Sequence, residues 1–472
     1  MPPLAQFRSY KAPLKLRTGF VTTLIAGLVV STTADAAGLI RDAETESLIR
    51  DYAKPIFRTA GLGSQNIKIH IVNDRNFNAF VVDGHNMFIH AGTLMMAETP
   101  NQVIGVIAHE SGHITGGHLA RLRTQVSKAK SAALMLQLLG LAAMAGGAIA
   151  GAPGVGQVGM GAAFGGTDAA LRSVLAYRQT EESSADQAAM TFLNAAKQSG
   201  KGMLETFEVL ADKLRGIQGI NPYLMTHPLP QQRITQLREL VTSSPYYDVA
   251  DPPELRFRHE LIKAKLSGFL DKPEVVFSRY PAANQKLPAI YARAIATYRQ
   301  SGVKAAMPLL DALIAAQPQW PYFYELKGQF LFESGEGSAS IAPLRKAVEL
   351  NPNEPLIQIM LAQALLGTNN RKFADEAITN LRNALATEQT SAMGYRQLAS
   401  AYARKAETSS AVGAKRQFMA QASLASAEAY FYEGRLDLAK HQAERAKAGL
   451  VNGTPNWIRA EDIISFEVPR TN

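Results

Sequence analysis

The chain reads as an α+β protein: a mainly helical domain built around a small antiparallel sheet, followed by an all-α solenoid of stacked repeats. Three observations predict this. Short β-like runs separated by turn residues occupy positions 67–90. An apolar helix carrying His109-Glu110-x-x-His113 follows them directly. From about Glu254 onward, alanine- and leucine-rich helical sequence recurs at a spacing near 34 residues.

Length and composition set the bounds. With 472 residues and 47% hydrophobic content, the chain has material for two or three domains with real cores. It has no cysteine, which excludes a disulfide scaffold and thiolate metal sites, so any metal must be held by histidine and carboxylate. The first 36 residues have the form of a cleavable export signal. Arg8, Lys11, Lys15 and Arg17 make a basic start, Gly19–Val30 a short apolar core, and Ala34-Asp35-Ala36 a small-residue cut site. The apolar run falls short of the ~20 residues a membrane span needs. The net charge of +9 is mild for this length and too diffuse to predict nucleic-acid binding. It suits anionic membranes or acidic partners.

The domain expected over residues 37–250 opens with an amphipathic helix from about Leu39 to Ala60, ended by Gly61 and Gly63. Ile67–Val72 alternates like a half-buried strand, Ala79–Val82 is a second, and Met87–His90 a third. Asp83-Gly84 is a tight hairpin signal between the last two. Thr99 and Gln102 have capping-box spacing around Pro100, and Val103, Ile104, Val106, Ile107 and Ala108 make the next helix a buried one. Residues 131–167 contain no charged side chain and turn from Leu/Ala-rich to Gly-rich, the pattern of an active-site lid or a membrane-touching hairpin. Helices are predicted over Leu175–Ala196 and Met203–Leu214, and His227 lies in an extended Thr-His-Pro-Leu-Pro stretch.

Prolines around Ser243–Pro253 mark a boundary, and residues 251–472 read as helix–turn–helix repeats. Pro318 and Pro352 are 34 apart. Tyr324–Phe332 matches Ile357–Leu365 as first helices, and Leu344–Leu350 matches Ile378–Leu385 as second helices. The pattern resembles tetratricopeptide repeats, whose concave face binds partners. An insertion disturbs the period near Glu407–Lys415, and Ala427–Ala439 restores it.

The chemistry centres on His109 and His113. On a helix they share one face and can reach one zinc ion, with Glu110 beside them as general base. A tetrahedral site needs a third protein ligand. His118 misses the metzincin position, which is Leu119, by one residue. Glu182 and Asp186 lie four apart on one helical face, so Glu182 suits the metal and Asp186 a hydrogen bond from a ligand imidazole. Glu181 points about 100° away and is the weaker choice. His227 is a further candidate. His70, His85, His90, His118, His259 and His441 read as structural or surface residues.

His-Glu-x-x-His followed by Glu-x-x-x-Asp resembles the family of HtpX-like and CAAX-prenyl-protease-like zinc metallopeptidases, with a zincin-like catalytic domain. The stretch Asn78-Ala-Phe-Val…Met87-Phe-Ile-His-Ala-Gly-Thr-Leu94 is also similar to that family. The export signal, the His-Pro-Leu-Pro segment and the C-terminal repeats match its periplasmic branch. One departure is that relatives often place the glutamate three residues after the arginine matching Arg178, which here is Glu181.

The resemblance implies one Zn2+ on His109, His113 and Glu182, Glu110 as base, and Asn78, Ala79 and Phe80 as the strand that holds substrate. His227 is implied either as an oxyanion stabiliser or as a self-inhibiting fourth ligand. The implied partners are polypeptides, especially outer-membrane β-barrel proteins, and the outer-membrane assembly machinery, with peripheral membrane contact and no nucleic acid. The competing expectation is a periplasmic chaperone or scaffold with little proteolysis.

Overall fold

In the computed structural model the described residues are 38–82, 84–128, 174, 176–216, 223, 227–368 and 370–468. The export signal expected at 1–36, the uncharged segment 131–167 and Asp83 of the hairpin turn lie outside them.

The first element differs from expectation. Leu39–Ile40 is a two-residue strand, β1, and the helix α1 starts only at Ala43 and runs to Thr59. Two apolar residues before a helix fit either period, but Asp42 decides. Its backbone is extended (φ −146°) and its carboxylate accepts from Thr45 N at 2.8 Å, which caps α1 behind it. Leu48, Ile49, Tyr52 and Ile56 form the buried stripe of α1, each worth roughly 1.5–3 kcal/mol of apolar burial.

Strands β2 (Lys68–Val72), β3 (Ala79–Val81) and β4 (Asn86–His90) lie where the alternation places them. The sheet, however, is mixed rather than antiparallel. Its order is β1-β2-β4-β3, with β1 antiparallel to β2, β2 parallel to β4, and β3 antiparallel to β4. The link from β2 to β3 cannot form a hairpin, because it is pinned to the start of the next helix, α2 (Ala91–Met96). Gly92 N donates to Asp74 O at 2.8 Å, and Asn78 N donates to Thr93 Oγ1 at 2.9 Å. This carries the chain past the β4 position and leaves β3 as an edge strand.

Helix α3 (Pro100–Gly116) carries the motif and is buried at every residue from Val103 to His113. The expected capping box is shifted: Thr99 makes no side-chain cap, and Gln102 Oε1 accepts from Glu98 N at 2.8 Å. Residues 118–128 form α4 and 176–195 form α5. Then come α6 (Lys201–Gly216) and α7 (Gln231–Thr242). α3 packs between α1 and α6, and α6 packs on α7, around one core that includes Tyr52, Met87, Ile107, Met203, Phe207 and Leu237.

From α8 (Pro253–Leu270) the chain is helical in a solenoid-like arrangement, each helix packing on the next. The pairs Pro321–Glu333 with Gly337–Leu350 and Pro355–Gly367 with Ala374–Thr387 contain the four segments matched by spacing. Pro321 and Pro355, 34 apart, open the two first helices. The disturbance near residue 410 is a longer pair, Ala392–Thr408 with Val412–Tyr432, and the turn before Leu436–Lys447 falls at Gly434.

α8 and the helices after it are tied to α1 by polar contacts. His259 Nε2 donates to Ala97 O at 2.9 Å while its Nδ1 accepts from Tyr52 Oη at 2.9 Å. Buried Lys265 lies 2.5 Å from Asp42 and 3.3 Å from Glu44. Glu44 also accepts from Tyr291 Oη at 2.7 Å and Trp320 Nε1 at 2.9 Å. Among the described residues no helix is long and apolar enough to cross a membrane.

Candidate metal centre

α3 turns His109, Glu110 and His113 into the interior, where all three are buried. Facing them is α5, which presents Glu182 and Asp186 one turn apart, both buried. The two helices approach this closely because residue 112 is glycine. A Cβ there would lie 2.8 Å from Ala185 O. His227 enters from the segment before α7, with the Tyr223 ring stacked on it at 4.6 Å.

One donor atom from each of His109, His113, Glu182 and His227 falls in a group whose members all lie within 4.8 Å of one another. His109 Nε2 and His113 Nε2 are 3.1 Å apart, and His227 Nδ1 is 3.4 Å from His109 Nε2 and 3.1 Å from both Glu182 oxygens. His109 Nδ1 lies 2.9 Å from Asp186 Oδ1, so its other nitrogen is the one aimed at the centre. Three converging, buried imidazoles and a carboxylate are a donor set suited to a divalent metal.

Electrostatics agree with that geometry. Burial alone would raise the Glu182 carboxyl, but His227, His109 and Arg233 outweigh it and hold it well below the usual carboxylate range. Burial pushes the Glu110 carboxyl up. Among the described residues neither Glu110 oxygen has a hydrogen-bond partner, and His227 Nε2 lies 3.5 Å from Oε1. A buried carboxyl without a partner is costly unless it serves chemistry.

Residues 40–241 match the model described as Peptidase family M48. The chain carries a peptidase family M48 domain. Three relatives extend the likeness. The "Beta-barrel assembly-enhancing protease" of Yersinia pestis is 24% identical over 429 residues, covering 87% of this chain and 86% of that one. The "Putative beta-barrel assembly-enhancing protease" of Vibrio cholerae is 28% identical over 260 residues, 54% of this chain and 51% of that one. The Escherichia coli "Beta-barrel assembly-enhancing protease" is 24% identical over 341 residues, 70% and 67% respectively.

Within the M48 domain, the adjacent glutamates point to different places. Glu182 faces the centre, whereas Glu181 faces outward to His118 Nε2 at 2.8 Å and Arg121 Nη2 at 3.0 Å. Two residues near the centre escape sequence reasoning. Arg233, only 3% exposed, contacts Asp186 at 2.6 Å and Glu182 at 2.7 Å and stacks 5.0 Å from the Phe207 ring. His118, read from sequence as structural or surface, lies 2.9 Å from His113. The only local hint of Arg233 was its place six residues after His227.

β3 of the M48 domain is the sheet edge that packs on α3. His90 N donates to Asn78 O, and Val82 N to Asn86 O. With Phe80 opposite Phe88 in the same register, the backbones of Asn78, Phe80 and Val82 face β4. Ala79 and Val81 therefore turn their N–H and C=O groups outward. Of the three substrate-strand residues expected from sequence, Ala79 alone turns its backbone away from β4, and it is fully buried; Asn78 and Phe80 are committed to Thr93 and β4.

Proposed function

We propose that this protein is a periplasmic zinc endopeptidase, exported by residues 1–36, that cleaves polypeptides during the quality control or assembly of outer-membrane β-barrel proteins. The observation that carries the reading is the convergence of His109, His113, Glu182 and His227 beside the unpartnered carboxyl of Glu110. The names of the relatives point the same way, and the repeat region, read as tetratricopeptide-like, is the part suited to holding clients or the assembly machinery.

His109, His113 and Glu182 hold the metal in this reading, with His227 at the fourth position until substrate displaces it. The zinc ion, when bound, supplies Lewis acidity to the scissile carbonyl and lowers the pKa of water at the site. Glu110 takes the water's proton and hands it to the leaving amine, a role that its raised pKa suits. Asp186 and Arg233 keep His109 and Glu182 in place. The outward edge of β3 at partly exposed Val81 aligns an extended substrate by strand addition.

Glu110→Gln tests this directly. The variant should keep its zinc and lose peptidase activity on casein by about 10²–10⁴-fold. Retained activity with zinc bound would overturn the assignment of Glu110 and favour a scaffold role.

A further inference from the structure

The two motif histidines are held differently. His109 leans directly on a carboxylate, Asp186. Among the described residues His113 has no carboxylate at its Nδ1; that atom is 2.9 Å from His118 Nδ1, and the far nitrogen of His118 is 2.8 Å from Glu181 Oε2. We propose that His118 is a positioning residue for the metal centre, relaying the Glu181 carboxylate to His113 so that His113 Nε2 stays directed at the metal. The inference rests on His113 being a ligand, as proposed above.

The proton placement follows from the contacts. The Glu181 carboxylate, 2.8 Å from His118 Nε2 though out of line for a hydrogen bond, favours by its charge the tautomer with the proton on that nitrogen, which leaves His118 Nδ1 a bare acceptor. His113 Nδ1 must then be the donor across the 2.9 Å contact, and the lone pair of His113 is on Nε2, the atom 3.1 Å from His109 Nε2. Arg121 Nη2, 3.0 Å from the same Glu181 oxygen, holds that carboxylate against His118.

Local backbone chemistry builds the relay. α3 ends at Gly117 in the left-handed conformation (φ 62°), which reverses the chain and folds His118 back along the helix it has just left. The imidazole lands where a side chain at residue 116 would be: a Cβ there would sit 2.1 Å from His118 Nε2. Gly116-Gly117 is thus the requirement for His118 to reach His113. His118 is 4% exposed, so the contact is shielded from water. The adjacent acids of α5 divide the work, with Glu182 at the metal and Glu181 behind His113.

Zinc affinity of the full chain, measured by competition with a chromophoric chelator, tests the proposal. His118→Leu should weaken zinc about 10–100-fold, and Glu181→Gln should weaken it less. Because Glu181 acts through His118, the double variant should bind no more weakly than His118→Leu alone. Cobalt-loaded His118→Leu should also shift its visible absorption, which a purely structural change would not do. Unchanged zinc affinity in Glu181→Gln and in folded His118→Leu, or fully additive losses, would overturn the relay. Glu181→Gln, at a partly exposed position, keeps the test available should His118→Leu not fold. His113→Ala separates the two layers: if it leaves zinc affinity intact, the ligand assignment fails rather than the relay.

Discussion

Arg233 donates from Nε and Nη2 to the two carboxylate oxygens of Asp186, at 2.6 and 2.9 Å. Its remaining nitrogen, Nη1, reaches Glu182 Oε2 at 2.7 Å. One planar guanidinium thus orients two of the three acids of α5, Asp186 behind His109 and Glu182 in the donor group. A lysine has no such fork.

Arg233→Met would strand two buried carboxylates. Removing one partner of a buried ion pair costs about 3–5 kcal/mol, so the metal-free protein should melt several degrees lower. Zinc affinity should fall about 10–100-fold, since Asp186 and Glu182 lose their alignment. Arg233→Lys should recover part of the stability and little of the zinc affinity. Calorimetry and chelator competition on the same preparations separate the two effects.

Gly112→Ala probes the seat of α5 on α3. The added Cβ would meet Ala185 O at 2.8 Å and Ala185 Cα at 3.0 Å, both backbone atoms that cannot swing away. α5 must then retreat and draw Glu182 away from His109 and His113. Overpacking of this kind costs about 1–3 kcal/mol. The expected result is a folded protein with lower melting temperature and weakened zinc binding. Intact zinc binding would mean that the helices accommodate the methyl group without moving the ligands.

The helix, the two motif histidines and the Glu182–Asp186 pair were legible in the sequence because each is a local fact, a spacing of four on one helix. The strands were legible for the same reason, through alternation. Strand order was not, since nothing in Ile67–His90 says that the link after Val72 is pinned to Gly92 and Thr93. Arg233 and His118 were missed because their partners are remote or hidden by a turn. Arg233 meets residues 47 and 51 positions upstream, and His118 meets His113 only because Gly117 reverses the chain. The rival capping residue Glu98, one position before Thr99, shows how finely even a local motif depends on backbone direction.

The proposed role of His227, holding the centre closed, is testable. Its Nδ1 is in the donor group, and Tyr223 stacks on its ring and keeps it there. His227→Ala should retain zinc on His109, His113 and Glu182, because three protein ligands suffice for a catalytic site. Its peptidase activity should rise, since substrate no longer competes with an imidazole. Activity lost with zinc retained would assign His227 to oxyanion stabilisation instead. Steady-state cleavage of casein, with zinc content measured on the same sample, decides between these outcomes.

A last prediction concerns the polar contacts between α1 and the helical repeats. Burial pushes the Glu325 carboxyl up to about 8, despite nearby Lys265, and Asp42, Glu44 and Glu354 add to the rise. Burial likewise lifts Glu354 to about 7, against the pull of Arg50 at 2.6 Å and with Glu46 adding to the rise. Both folded-state values exceed those of an unfolded chain, near 4.3. Each group therefore contributes stability that is fully present below about pH 4 and is lost as pH rises through 7 for Glu354 and 8 for Glu325. Glutamine keeps the shape of the neutral acid and cannot ionise. Glu325→Gln should match the parent in melting temperature at about pH 4 and exceed it increasingly up to about pH 9, where the parent must either bury a carboxylate or hold its proton at a cost. Arg50 faces only Glu354 and Glu46 among these acids, so Arg50→Met should destabilise more at high pH than at low, the opposite slope. Equal melting of Glu325→Gln and the parent across that range would show that water reaches Glu325 and that the junction is looser than its packing implies.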